Sequence, residues 1–108
     1  MSAHPPALRP PAPDMKGVRW LPMVGDSMEP RIRSRDLVAV LPIDRVGHNG
    51  LYVIDQGLGA PAVVRLSQTN EGWHVGYDNP RCLGGPCTRE RVDAMVVGIV
   101  IGVFAWTN

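Results

Sequence analysis

The amino-acid sequence predicts a single mostly-β domain of short, strongly bent strands. Three observations carry that expectation. The chain has 12 Gly and 11 Pro among 108 residues, so turns must be frequent. Its apolar residues fall in short runs between those turn formers, and no stretch sustains a 3.6-residue period. Hydrophobic residues make up 44% and charged residues 19%, enough for one modest core and too apolar for a disordered chain.

Residues 1–17 hold five prolines and read as an extended, flexible arm, with the folded domain occupying residues 18–108. Residues 18–24 are a short apolar run that ends in the turn cluster Gly25-Asp26-Ser27, and Pro30 stops any strand from running through. Residues 37–41 read as a buried strand, bounded by Asp36 and Pro42. Asn49-Gly50 is a turn dipeptide that opens a strand over 51–54. Gly57-Leu58-Gly59 turns the chain into a strand over 61–66, and pairing these two runs as a hairpin is the simplest topology. Trp73, Val75 and Tyr77 alternate, which puts one face of that strand inward. Asp78-Asn79-Pro80 and the Gly-Gly-Pro loop interrupt the chain again. Residues 95–103 close it as a strand, because two glycines and six β-branched residues outweigh helix, with a bend expected at a glycine.

Composition narrows the function. A net charge of +1 is far from the basic excess of a chain that lives on nucleic acid, so direct nucleic-acid binding is not expected. No apolar leader segment opens the chain. The most apolar stretch, residues 94–106, is too short to span a bilayer. A cytoplasmic location without membrane attachment follows as the expectation. Cys82 and Cys87 flank the Leu-Gly-Gly-Pro loop; a disulfide is conceivable there, but two free thiols are the expected state.

The most informative segment is Val24-Gly25-Asp26-Ser27-Met28-Glu29-Pro30. A serine on a sharp glycine-containing turn can present its hydroxyl while the N–H groups around Asp26, Ser27 and Met28 point at one spot. Acyl transfer needs that pairing of nucleophile and oxyanion hole. Gly-Asp-Ser alone is also an ordinary turn. The longer motif resembles the serine motif of the S24 peptidase family, which includes LexA, UmuD-like polymerase accessory proteins and the C-terminal domains of phage repressors. Further matches follow in order: Ser34-Arg35-Asp36-Leu37-Val38, Asn49-Gly50-Leu51-Tyr52, Val63-Val64-Arg65-Leu66, Tyr77-Asp78-Asn79-Pro80 and Val97-Gly98-Ile99-Val100. The resemblance implies a compact LexA- and signal-peptidase-like β domain, with Ser27 as nucleophile and no cofactor.

It also implies a lysine base, desolvated so that it can be neutral at working pH. That lysine is the second residue of a Val-Lys-Arg-Leu type strand, where this chain has Val64. Valine accepts no proton. Arg65 is expected on the opposite face of the strand, and a guanidinium stays protonated in any case. The one lysine in the chain, Lys16, lies in the arm. Arg35 stands where the family has glycine, at a turn where arginine tolerates positive φ poorly. Neither Ala-Gly nor Cys-Gly, the family's usual self-cleavage dipeptides, occurs in the chain.

The expected function is therefore a non-catalytic regulatory or dimerisation protein, in a phage-repression or DNA-damage-response setting that the family supplies. The alternatives are an active serine peptidase using another base, and a UmuD-like accessory subunit of a translesion polymerase. Arg31, Arg33 and Arg35 would share one side of an extended segment; they read as a solvated face partly neutralised by Glu29 and Asp36. His48, His74 and Asp78 lack metal-ligand spacing, so no metal site is expected, and no motif supports a Ser27-His74 relay. The closing strand is apolar on both faces, which points to a two-layer core or a homodimer interface; other protein partners would be regulatory proteins.

Overall fold

The computed structural model describes residues 17–57 and 60–105. The apolar runs become strands: β1 (Arg19–Pro22), β2 (Leu37–Pro42), β3 (Gly50–Ile54), β4 (Ala62–Thr69), β5 (Gly72–Gly76), β6 (Gly85–Cys87) and β7 (Val96–Phe104), with one helix, α1 (Arg89–Met95), before β7. They form one antiparallel sheet in the order β1-β2-β7-β3-β4-β5-β6. The mostly-β fold class is as expected, and so is the β3–β4 hairpin, in which Tyr52 faces Val64 and Val53 faces Val63. Of the N-terminal arm only Gly17 lies among the described residues, and Leu58 and Gly59 of the expected turn fall outside them.

Two elements differ from expectation. Residues 85–87 and 89–95 are β6 and α1 rather than a prolonged interruption. Helix α1 is seven residues long, too short for a periodic pattern to show. The Thr88 hydroxyl caps it by accepting the Arg91 N–H at 3.2 Å, and Glu90 sits in its first turn. The helix is docked rather than self-supporting. Val92 is fully buried, Asp93 accepts the Val46 N–H at 3.0 Å, and Arg89 donates to the Val46 carbonyl at 3.2 Å while lying over the Trp73 ring.

The sheet is covered on both faces, which is why its strands read as continuous apolar runs. One face carries Val38, Val40, Val53 and Val63 and is roofed by Met23, Met28 and Ile32. The other carries Tyr52, Ile54, Val64, Leu66 and Trp73 and is roofed by Val46 and Val92. Adjacent residues of β3 and β4 thus serve different cores, as the two-residue repeat of a strand requires.

β7 bends twice, each time beside a glycine. Between Ala39 and Val40 of β2 the register slips so that Gly102 and Val100 are their partners, leaving Ile101 extra. Between Val53 and Ile54 of β3 the partners are Gly98 and Val96, leaving Val97 extra. Both bulged residues and Val103 leave apolar surface exposed, each close to 40% accessible. Gly98 has no room for a side chain, since an added Cβ would collide with Val40 and lie 2.7 Å from the Leu41 carbonyl oxygen.

Candidate functional site

Ser27 sits in an irregular excursion between β1 and β2. The excursion is closed at its base by two backbone bonds, Met23 N–H to the Asp36 carbonyl at 2.7 Å and Arg35 N–H to the Met23 carbonyl at 2.8 Å. Met28 and Ile32, both with no exposed surface, plug it into the first core. Gly25 supplies the positive φ (84°) that lifts the next residues over Met28. Inside the turn, Glu29 N–H donates to the Asp26 carbonyl and Ile32 N–H to the Met28 carbonyl. The Glu29–Pro30 peptide bond is cis. Ser27 is left half-buried at the rim.

A second segment holds this turn from the side. Asn79, 9% exposed, donates its side-chain N–H to the Asp26 carbonyl at 2.8 Å and its backbone N–H to the Ser27 carbonyl at 3.0 Å. Its Oδ1 accepts the Arg81 N–H at 2.9 Å, which fixes the amide's orientation. Next door, Asp78 takes both nitrogens of Arg65 at 2.7 and 2.9 Å and Arg31 at 3.1 Å. The Arg65 hydrogen bond, aided by both positive charges, holds the Asp78 carboxyl below the usual carboxylate range despite partial burial. The same hydrogen bond raises Arg65 above its ordinary value, so it stays a cation. Sequence reasoning saw Asp78-Asn79-Pro80 as a break in the chain; the visible signal, an asparagine before proline, gave no hint that it ties the serine turn to β4.

Ser27 opens on a cavity of about 140 Å³. Its other walls are residues 21–24, residues 60–63, Val38 and Val53, so Ser27 brings the one hydroxyl to a space whose other side chains are apolar. The valine beside the serine is Val63. Val64, the position matched to the lysine, points to the other core, because it pairs with Tyr52 while Val63 pairs with the cleft residue Val53. Arg65 accordingly lies on the face of Val63 rather than away from it, and its guanidinium is engaged by Asp78. Among the described residues, the N–H groups of Asp26, Ser27 and Met28 donate to no acceptor and no side chain bonds Ser27 Oγ. Lys16 lies outside the described residues.

This arrangement is a serine turn facing an apolar slot beside the strand that would carry a base. The Peptidase S24-like family model matches residues 8–101, which span the turn, both slot walls and the Asn79 segment. The chain belongs to that family. No curated protein matches it.

Within the S24 frame two departures are structural. Both valines on β4, Val63 and Val64, lack a titratable group. Arg35 adopts φ +81°, the left-handed region that suits the family's glycine, at a cost of about 1–2 kcal/mol for a residue with a Cβ. The other candidates disperse. His74 is exposed and level with Ser67 of β4, four residues from Val63, or about 13 Å along the strand. His48 is exposed, its Nδ1 near the Asn49 carbonyl, and its own carbonyl accepts the Tyr52 hydroxyl. Among the described residues no three His, Cys, Asp or Glu side chains cluster as a metal site would require, and both cysteines are free. The arginines do not form a stripe: the segment is a turn, Ile32 is buried, and Arg31 is neutralised by Asp78 rather than by Glu29 or Asp36. No helix among the described residues is long and apolar enough to cross a membrane.

Proposed function

We propose that this S24 domain binds an extended protein segment without cutting it, and acts as a regulatory, dimerising protein. The single observation that carries this is the slot beside Ser27 walled by apolar side chains, with valine where a general base would stand. A serine hydroxyl without a proton acceptor is a weak nucleophile, so chemistry is lost while shape is kept. Two chain segments, 21–24 and 60–63, wall the slot, which at about 140 Å³ has room for one apolar side chain of an extended segment. The Ser27 hydroxyl, the one polar side chain on the slot wall, would donate to a carbonyl oxygen of that segment. The regulatory setting, phage repression or the DNA-damage response, comes from the family.

Dimerisation is supported by the exposed apolar surface of Val97, Ile101 and Val103 on β7. Sedimentation at rising concentration is expected to give a dimer that Ile101→Lys dissociates; a monomer throughout removes this part of the reading. The catalytic part is tested with a fluorophosphonate probe and a peptide digest at mildly alkaline pH. No label and no fragments are expected from the unaltered chain. Labelling that disappears in Ser27→Ala would instead establish an active peptidase. Val63→Lys and Val64→Lys, assayed in parallel, show which valine replaced the base, by which of them gains the label.

A further inference from the structure

We propose that an open groove beside Arg35 receives an acidic side chain of the same protein segment that lies across the Ser27 cleft, a proposal that rests on the peptide-binding reading above. The groove encloses about 450 Å³ between Pro22, Met23, Val24 and Leu37 on one side and Ser34 and Arg35 on the other. It shares Pro22, Met23 and Val24 with the Ser27 cleft, so the two spaces adjoin the same segment of chain. Val24, on the shared wall, is 75% exposed, an apolar surface that such a chain would cover.

The charge at the rim sets the chemistry of the occupant. Arg31 is engaged by Asp78, but Arg35 forms no ion pair among the described residues. Asp36, its neighbour in sequence, turns its Oδ2 to the Arg33 N–H at 2.9 Å. Arg35 is exposed and held in the left-handed conformation, and it lines the groove together with Ser34. A guanidinium of this kind matches a carboxylate with two parallel hydrogen bonds. The apolar wall favours a peptide over a polyphosphate, and a net charge of +1 does not supply the basic surface that nucleic acid needs. The occupant is therefore an extended protein segment in which an apolar residue fills the slot and a glutamate or aspartate follows at Arg35.

The test uses the full chain and fluorescence polarisation with labelled alanine–valine octapeptides that carry one glutamate or, in the control, one glutamine. The glutamate peptide is expected to bind about tenfold more tightly, with the advantage shrinking as salt is raised. Arg35→Gly, which suits the backbone at that position, should fold and abolish the difference. Equal binding of the two peptides overturns the proposal and leaves the cleft reading intact. No binding of either peptide overturns both. Tighter binding of an oligonucleotide, lost in Arg35→Gly, overturns the assignment of a protein partner.

Discussion

Removing the Asn79 side chain should loosen the serine turn without unfolding the sheet. Asn79→Ala deletes two hydrogen bonds to backbone, one to the Asp26 carbonyl at 2.8 Å and one from the Arg81 N–H at 2.9 Å. Each such bond contributes about 0.5–1.5 kcal/mol net, so the expected loss is about 1–3 kcal/mol. The value should fall in the lower half, because Asp26 and Arg81 are exposed and water can replace the lost partner. Asn79→Asp separates the two bonds. It keeps the acceptor for Arg81 but sets a carboxylate oxygen against the Asp26 carbonyl, so it should loosen the turn at least as much as alanine does. Urea unfolding gives the loss, with an unchanged m-value confirming that the native state is otherwise intact. Amide exchange reports the location: the Glu29 and Ile32 N–H groups, which bond inside the turn, should lose protection while β3 and β4 keep theirs. A loss under about 0.5 kcal/mol, or unaltered exchange at Glu29 and Ile32, would refute the clamp.

Arg35→Gly should raise stability by roughly 0.5–1 kcal/mol in the same unfolding assay, since relief of the left-handed arginine outweighs glycine's extra unfolded-state entropy; a net loss would contradict the strain assignment. Asp78 has a carboxyl pKa depressed from 3.8, so its contribution is present at higher pH and is lost as pH falls through the depressed value. Asp78→Asn should therefore melt lower at neutral pH and show a flatter decline below about pH 4 than the parent chain; parallel curves would count against the Arg31–Asp78–Arg65 cluster. Gly98→Ala should cost about 1–3 kcal/mol, because the added methyl meets Val40 and the Leu41 carbonyl where β7 passes β2; a near-neutral variant would mean that the strands can move apart there.

The strands were legible because apolar runs lay between Gly, Pro, Asn and Asp, and burial of both sheet faces left those runs unbroken. The same burial hid which way β4 faces: with valine at both 63 and 64, no alternation distinguishes the two sides, and only pairing with Val53 and Tyr52 decides it. Helix α1 escaped notice because its seven residues are held by Val46, Trp73 and the Thr88 cap rather than by a periodic face. β6, Gly-Pro-Cys, has a loop's composition and becomes a strand only through pairing with β5. The nucleophile turn was visible in its motif; the clamp by Asn79 was not, because Asp26 and Ser27, which it holds, lie more than fifty residues earlier in the chain.

The position of β7 has a consequence for synthesis. It is the last of these seven strands to be made, yet it lies between β2 and β3 and is the one strand among them that joins the β1–β2 pair to the β3–β6 meander. Until it emerges from the ribosome, each half of the sheet carries an unpaired inner edge, and Val38, Val40, Val53 and Ile54 have no closed core to enter. The meander can form locally, from neighbours in sequence, but docking of the two halves must wait for pairings such as Val38 with Val103. A nascent chain arrested before Val96 would therefore expose two sticky strand edges, and the slot, whose walls come from both halves, could not yet exist.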